Sequence, residues 1–200
     1  MNTMMLPLRA DVTKRARILP LGSPARAGQF PKPARQVEGT CELNTVLDDV
    51  LASYSRAFAN KFVSPISEGT FIVRVSETVL KRVIGLILEG MWSLGLWRDG
   101  EYECISPVVC KCLNGYGALL ELTDETMSLP PALLSQLSQP GVVRPENLPS
   151  RQLLMARDLI ERYGGRLCAH SPLWEEMTGT SIRLYLPLAA HTTHHSSAHG

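Results

Sequence analysis

Cys110 and Cys112 stand two apart in an apolar, strand-like stretch, a spacing that puts both thiols on one strand face, where a soft metal could be held. No second ligand pair accompanies them and no CxxC occurs, so buried thiols are the better reading. The five cysteines, Cys41, Cys104, Cys110, Cys112 and Cys168, are odd in number. That fits free thiols in a reducing compartment rather than a disulfide frame. His191, His194, His195 and His199 fall in a polar tail, where a solvated segment is expected and any metal binding would be adventitious. His170 is the one histidine before that tail, and no Ser or Cys pattern beside it marks a general base. Asp124 follows the run Leu120-Glu121-Leu122-Thr123, a place where an acid commonly forms a turn. Trp92, Trp97 and Trp174 read as packing residues rather than a ligand cage.

The elements that must position these groups follow from periodicity. Leu43, Val46, Leu47, Val50, Leu51, Tyr54 and Phe58 recur at helical spacing, predicting a helix over Glu42 to Phe62. Phe71 to Val75 alternates as a short strand. Ser76 is placed to cap a long helix running through Val79, Leu80, Val83, Ile84, Ile87, Leu88 and Met91. After a turn at Arg98-Asp99-Gly100, strands are expected over Glu101 to Cys112 and Ala118 to Leu122. The Asn114-Gly115-Tyr116-Gly117 hairpin joins them. Leu129 to Pro149 reads as a proline-rich excursion without an element. A helix from about Ser150 to Tyr163 and strands over Arg166 to Ser171 and Ser181 to Pro187 complete the pattern. Alternating elements of this kind predict a two-layer α/β sandwich, with a mixed sheet carrying its helices on one face. The other sheet face would be open to a partner.

Composition bounds the function classes. Hydrophobic residues at 44% and charged residues at 20% are those of a globular domain, and 200 residues can bury a core. Aromatic residues at 6% speak against a stacking platform for single-stranded nucleic acid. The net charge of +1 hides an uneven distribution. Residues 1 to 37 hold Arg9, Lys14, Arg15, Arg17, Arg26, Lys32 and Arg35 against Asp11, a local net of +6, and the body is correspondingly acidic. The organisation expected is a disordered, basic, proline-rich arm over 1–38, a folded domain over 39–189 and a disordered His-rich tail over 190–200. Val83 to Leu96, the longest apolar stretch, is interrupted by Gly85, Glu89, Gly90, Ser93 and Gly95 and is too short to span a bilayer. A cytoplasmic protein with no membrane partner is expected.

The stretch from Ala156 to Leu188 contains a helix ending at Gly164-Gly165, a strand opening on Arg166, and Gly179-Thr180 before the closing strand to Leu188. With the order of elements from Glu42 onward, it resembles the GHKL ATPase superfamily, specifically the catalytic domain of bacterial sensor histidine kinases. The resemblance implies a Bergerat-type, histidine-kinase ATPase-like fold. It also implies where a nucleotide site would lie, and this chain departs from that site in three places.

The family's magnesium-ligating Asn on the long helix is matched here by Gly90, with Glu89 before it and Ser93 at the usual basic position. Glycine offers no oxygen to a hard cation. The adenine loop, D-x-G-x-G, is matched by Asp124-Glu125-Thr126-Met127-Ser128. The Asp is kept and both glycines are replaced. The glycine-rich phosphate loop is matched by Ser150-Arg151-Gln152-Leu153, where Ser150 would act as an ordinary N-cap. The mobile lid is matched by Leu133 to Pro149, stiffened by Pro140, Pro145 and Pro149. Phosphoryl transfer rests on positioning and metal neutralisation, so three coincident losses imply a non-catalytic domain without a cofactor. Such a domain would act through contacts with a signalling protein such as a response regulator or a kinase, or as a homodimer. Glu89 and Asp124 are the remnant nucleotide-site residues. The alternative is a divergent binder of ATP with Mg, or a stand-alone kinase of the GHKL type. Nucleic-acid binding through the basic arm is disfavoured.

Overall fold

A computed structural model describes residues 39–54, 66–67, 69–94, 108–111, 117–124, 128–138, 148–171 and 178–189. The basic arm, the His-rich tail, the turn at 98–100, the Asn114-Gly115-Tyr116 tip, Cys104, Cys112, Trp97 and Trp174 lie outside these residues. In chain order the elements are β1 (Cys41–Glu42), α1 (Leu43–Tyr54), β2 (Ile66–Ser67), β3 (Ile72–Val73) and α2 (Glu77–Ser93). They continue with β4 (Val108–Lys111), β5 (Gly117–Asp124), α3 (Pro131–Ser138), α4 (Leu148–Glu161), β6 (Arg166–His170) and β7 (Thr180–Pro187).

Five strands form a mixed sheet in the order β2-β4-β5-β7-β6; β2 pairs parallel to β4, and every other pair is antiparallel. The register aligns rows of one polarity. Leu120 of β5 lies opposite Leu184 of β7, which lies opposite Leu167 of β6, and Leu122, Ile182 and Ala169 form the next row. These residues are buried with the helices in one core cluster. A strand's side chains alternate between faces, so Glu121, Arg183 and Cys168 form a row on the second face. That face is less open than its polarity predicts. Ser181 is 1% exposed, and the Arg183–Glu121 pair, 2.8 Å apart, has side chains only 11% and 21% exposed. Burial alone would lower the Arg183 pKa, but the hydrogen bond and charge of Glu121 raise it. Arg166 and His170, on the edge strand, remain exposed.

The helical layer is built around α2. Leu80, Ile84, Ile87, Leu88 and Met91 are fully buried at helical spacing, and Val83, Gly85, Leu86 and Gly90 are buried as well. Burial on so many sides makes α2 the central helix, packed between α1 and α4. Ser76 occupies the N-cap position in extended conformation, yet its side chain makes no capping hydrogen bond; its carbonyl accepts from the Leu80 amide at 2.9 Å.

Two stretches differ from the sequence pattern. Pro131 to Ser138, inside the expected excursion, is helical. Proline at the first helical position forfeits nothing, because that amide has no intrahelical acceptor. The same logic moves the start of α4 to Leu148, with Pro149 in its first turn, so Ser150 lies inside the helix and is not its N-cap. At the other end of α4 the expected Gly-Gly turn is a Schellman closure. Gly164 has φ +77°, its amide donates to Glu161 O, and the Gly165 amide reaches back to Ile160 O, both at 3.1 Å.

Candidate nucleotide site

Asp124 ends β5 on the helix-facing side and is 3% exposed. Across the sheet register it lies opposite Thr180, which is fully buried. Around this pair runs a chain of small polar contacts. The Thr180 hydroxyl donates to Ser171 Oγ at 3.2 Å, and the Ser171 hydroxyl donates to Gly179 O at 2.9 Å. The Leu129 amide donates to Ser171 Oγ at 2.8 Å, and the Gly179 amide to Ser128 Oγ at 3.3 Å. The segment leaving β5 is therefore stitched to the β6–β7 connection. Gly179 has φ +120°, a conformation open to glycine, which explains why the Gly-Thr pair stands as it does. The sequence marked Ser128 only as a replaced glycine and Ser171 only as a strand end, because a serine's hydrogen bonds across the fold carry no periodic signal.

The α2 positions point in different directions. Glu89 faces α1 and accepts a hydrogen bond of 2.9 Å from the Tyr54 hydroxyl. Burial, and then the Glu89 contact, push the Tyr54 phenol up to about 12. Gly90 faces α4 instead. A Cβ there would sit 2.8 Å from Leu153 Cγ and 3.2 Å from the Leu153 backbone nitrogen. Ser93 is exposed at the end of α2, and Arg151 is exposed on α4. Of the two residues named from the sequence, Glu89 on α2 is thus bonded to α1, and Asp124 at the end of β5 lies beside Thr180.

A cleft of about 290 Å³ lies between α1 and α2, lined by Asp49, Val50, Ser53, Tyr54, Lys81, Arg82 and Gly85. It includes neither Asp124 nor Thr180. Most of its polar groups are partnered: Lys81 bonds Asp49 at 2.9 Å and Glu77 at 2.7 Å, and Ser53 donates to Val50 O. Among the described residues no cluster of His, Cys, Asp and Glu suited to a metal ion occurs, and no helix is long and apolar enough to cross a membrane.

No protein-family model matches the chain, and no curated protein matches it by sequence. Solved structures do match. The mycobacterial sensor histidine kinase MprB superposes with a TM-score of 0.58 at 17% identity, over 76% of this chain and 98% of that one. The histidine kinase domain of the E. coli osmosensor EnvZ gives 0.56 at 20% identity, over 83% and 98%. The catalytic domain of histidine kinase ThkA gives 0.55 at 14% identity, over 75% and 98%. The fold is that of a histidine-kinase catalytic domain. Within that fold, Asp124 and Thr180 place a buried carboxylate and a buried hydroxyl side by side. At position 90 the chain supplies no side-chain oxygen for magnesium, and Leu153 takes the adjoining space, so the described residues at this position do not fit a metal ligand.

Proposed function

We propose that this chain is a histidine-kinase-type fold that works by protein contact in phosphorelay signalling, docking a response regulator or a kinase without turning over ATP. The observation supporting it most is the seating of α4 on Gly90. Magnesium neutralises the charge that moves in phosphoryl transfer, and a glycine packed under a leucine cannot hold it. A homodimer in a bacterial cytoplasm, with the basic arm as a docking segment, completes this reading. Isothermal titration of the purified chain with Mg-ATP should give no binding heat; saturable binding in the micromolar range would overturn the proposal.

A second reading is favoured by Asp124, whose burial beside Thr180 suits recognition of a base by its exocyclic amine. Under it the chain is a divergent ATP-binding protein or a stand-alone kinase of the GHKL type that recognises its nucleotide's base through Asp124. Adenosine binding that is lost in Asp124→Asn would support it. Binding unchanged by that substitution would remove it.

A further inference from the structure

α4 meets the core with Leu153, Leu154, Ala156, Arg157 and Ile160, all buried. Its outward stripe is Arg151, Met155, Asp158 and Arg162, spaced four, three and four apart, and all of them are exposed. Met155 leaves 42% of its surface open, and Leu159, one turn further on, is only partly covered. An apolar centre containing methionine, with arginines at its rim, has the composition of a small contact surface. The charges decide what fits it. Asp158 accepts from Nε and Nη2 of Arg157 at 3.0 and 2.6 Å, both on Oδ1, so the carboxylate is held in place while its second oxygen can accept from elsewhere. Arg151 and Asp158 lie on the same side of Met155 around the helix, one turn before it and one turn after. A two-fold axis through Met155, with a second copy of α4 running antiparallel, exploits that placement. Arg151 stands about 6 Å along the helix to one side of the axis and Asp158 about 4.5 Å to the other. The two-fold therefore brings each Arg151 to the level of the partner's Asp158 and sets Met155 on the partner's Met155. Every contact is made twice, as an isologous surface requires.

We propose that the outward stripe of α4 is the surface on which a second copy of this chain docks, the two helices crossing antiparallel at Met155 with reciprocal Arg151–Asp158 pairs. The proposal rests on the homodimer of the functional reading above and names its interface. Crossing helices diverge away from the contact point, so Arg162 stays in solvent beyond the pairs. One helix against its copy is a small interface, so the dimer is reversible. It leaves the sheet and the α1–α2 face uncovered and presents two copies of each to a signalling partner.

Sedimentation equilibrium of the full chain over a wide concentration series tests this, with M155E and R151E beside wild type. Wild type should show a reversible monomer–dimer equilibrium. M155E sets two like charges against each other at the axis and should be monomeric throughout. R151E faces the partner's Asp158 with a second acid, and because the symmetry counts the change twice, its dimer should weaken about tenfold. Asp158 is left unaltered because it also balances the buried Arg157. Both substituted positions are exposed, and circular dichroism checks that the variants fold; if M155E does not, R151E decides alone. A dimer that either folded variant leaves at wild-type strength would overturn this surface and leave the homodimer to another face. A wild type that stays monomeric would remove the surface and the homodimer together. Neither outcome depends on whether ATP binds.

Discussion

At position 90 a missing side chain sets the distance between two helices. Glycine inside a helix is disfavoured by roughly 1 kcal/mol against alanine, so its presence in α2 needs a packing reason. Leu153 supplies it, lying where a Cβ would otherwise be. Gly90→Asn restores the family's metal ligand in name, yet it should destabilise the domain by about 1–3 kcal/mol through overpacking. It should not confer magnesium-dependent nucleotide binding. Urea denaturation with a parallel titration checks both; a stable, Mg-ATP-binding variant would show that α4 yields easily. Gly165 is held by a similar constraint, with a Cβ there meeting Ile160 Cγ1 at 2.5 Å and the Tyr185 carbonyl at 2.8 Å. The Gly164-Gly165 turn was legible in the sequence because helix ends advertise themselves with glycine. The packing of Gly90 was not legible, since the leucine that lies against it stands 63 positions away in the chain.

Among elements, α1 and α2 are joined by a half-buried polar contact whose pH dependence can be worked out. The Tyr54 phenol is raised from 10 to about 12 by burial and then by Glu89. A folded-state value above the unfolded one favours the protonated form, so its contribution is complete below pH 10 and disappears as the pH climbs toward 12. The stability difference between wild type and Tyr54→Phe should therefore shrink over that window. Parallel pH profiles for the two proteins would show that the Tyr54–Glu89 bond is not formed in solution. Sequence periodicity found α1, α2, α4 and the central strands because each has a buried face of regular period. It missed α3, where Pro130 and Pro131 read as breakers although proline suits a helix start. It also placed the start of α4 at Ser150, two residues late, because a serine was taken as the cap where a leucine and a proline begin the helix. Ser76 was placed correctly as the residue before α2, but extended backbone alone, without a side-chain bond, does the work there.

On the scale of the molecule, a histidine-kinase-type frame carries a buried acid at the end of β5 and a glycine packed under Leu153 in its central helix. The frame was legible because order of elements, the Gly-Gly turn and the Gly-Thr pair all agree with one topology. The state of the second sheet face was not. That face was expected to be open to a partner, whereas Ser181 at its centre is buried and the charges of Glu121 and Arg183 are paired. The sheet itself has an order that chain position hides. β5 is flanked by β4 and β7, and β6 pairs with β7 alone among the described strands. A chain ended before Thr180 should thus lose both its central pairing and the anchorage of β6. Expressed that way, it should be insoluble or molten by circular dichroism; a cooperative thermal transition from it would refute this dependence on β7.

The same strand order carries a consequence for biosynthesis. As the polypeptide leaves the ribosome, its three longest helices and four of the five sheet strands emerge before the segment that closes the sheet. Until residues near 187 are free of the exit tunnel, β5 presents one unpaired edge, and Leu120 and Leu122 lack their β7 partners Leu184 and Ile182. Until its final strand is made the nascent domain therefore exposes an unpaired strand edge, the kind of surface that invites mispairing with other chains.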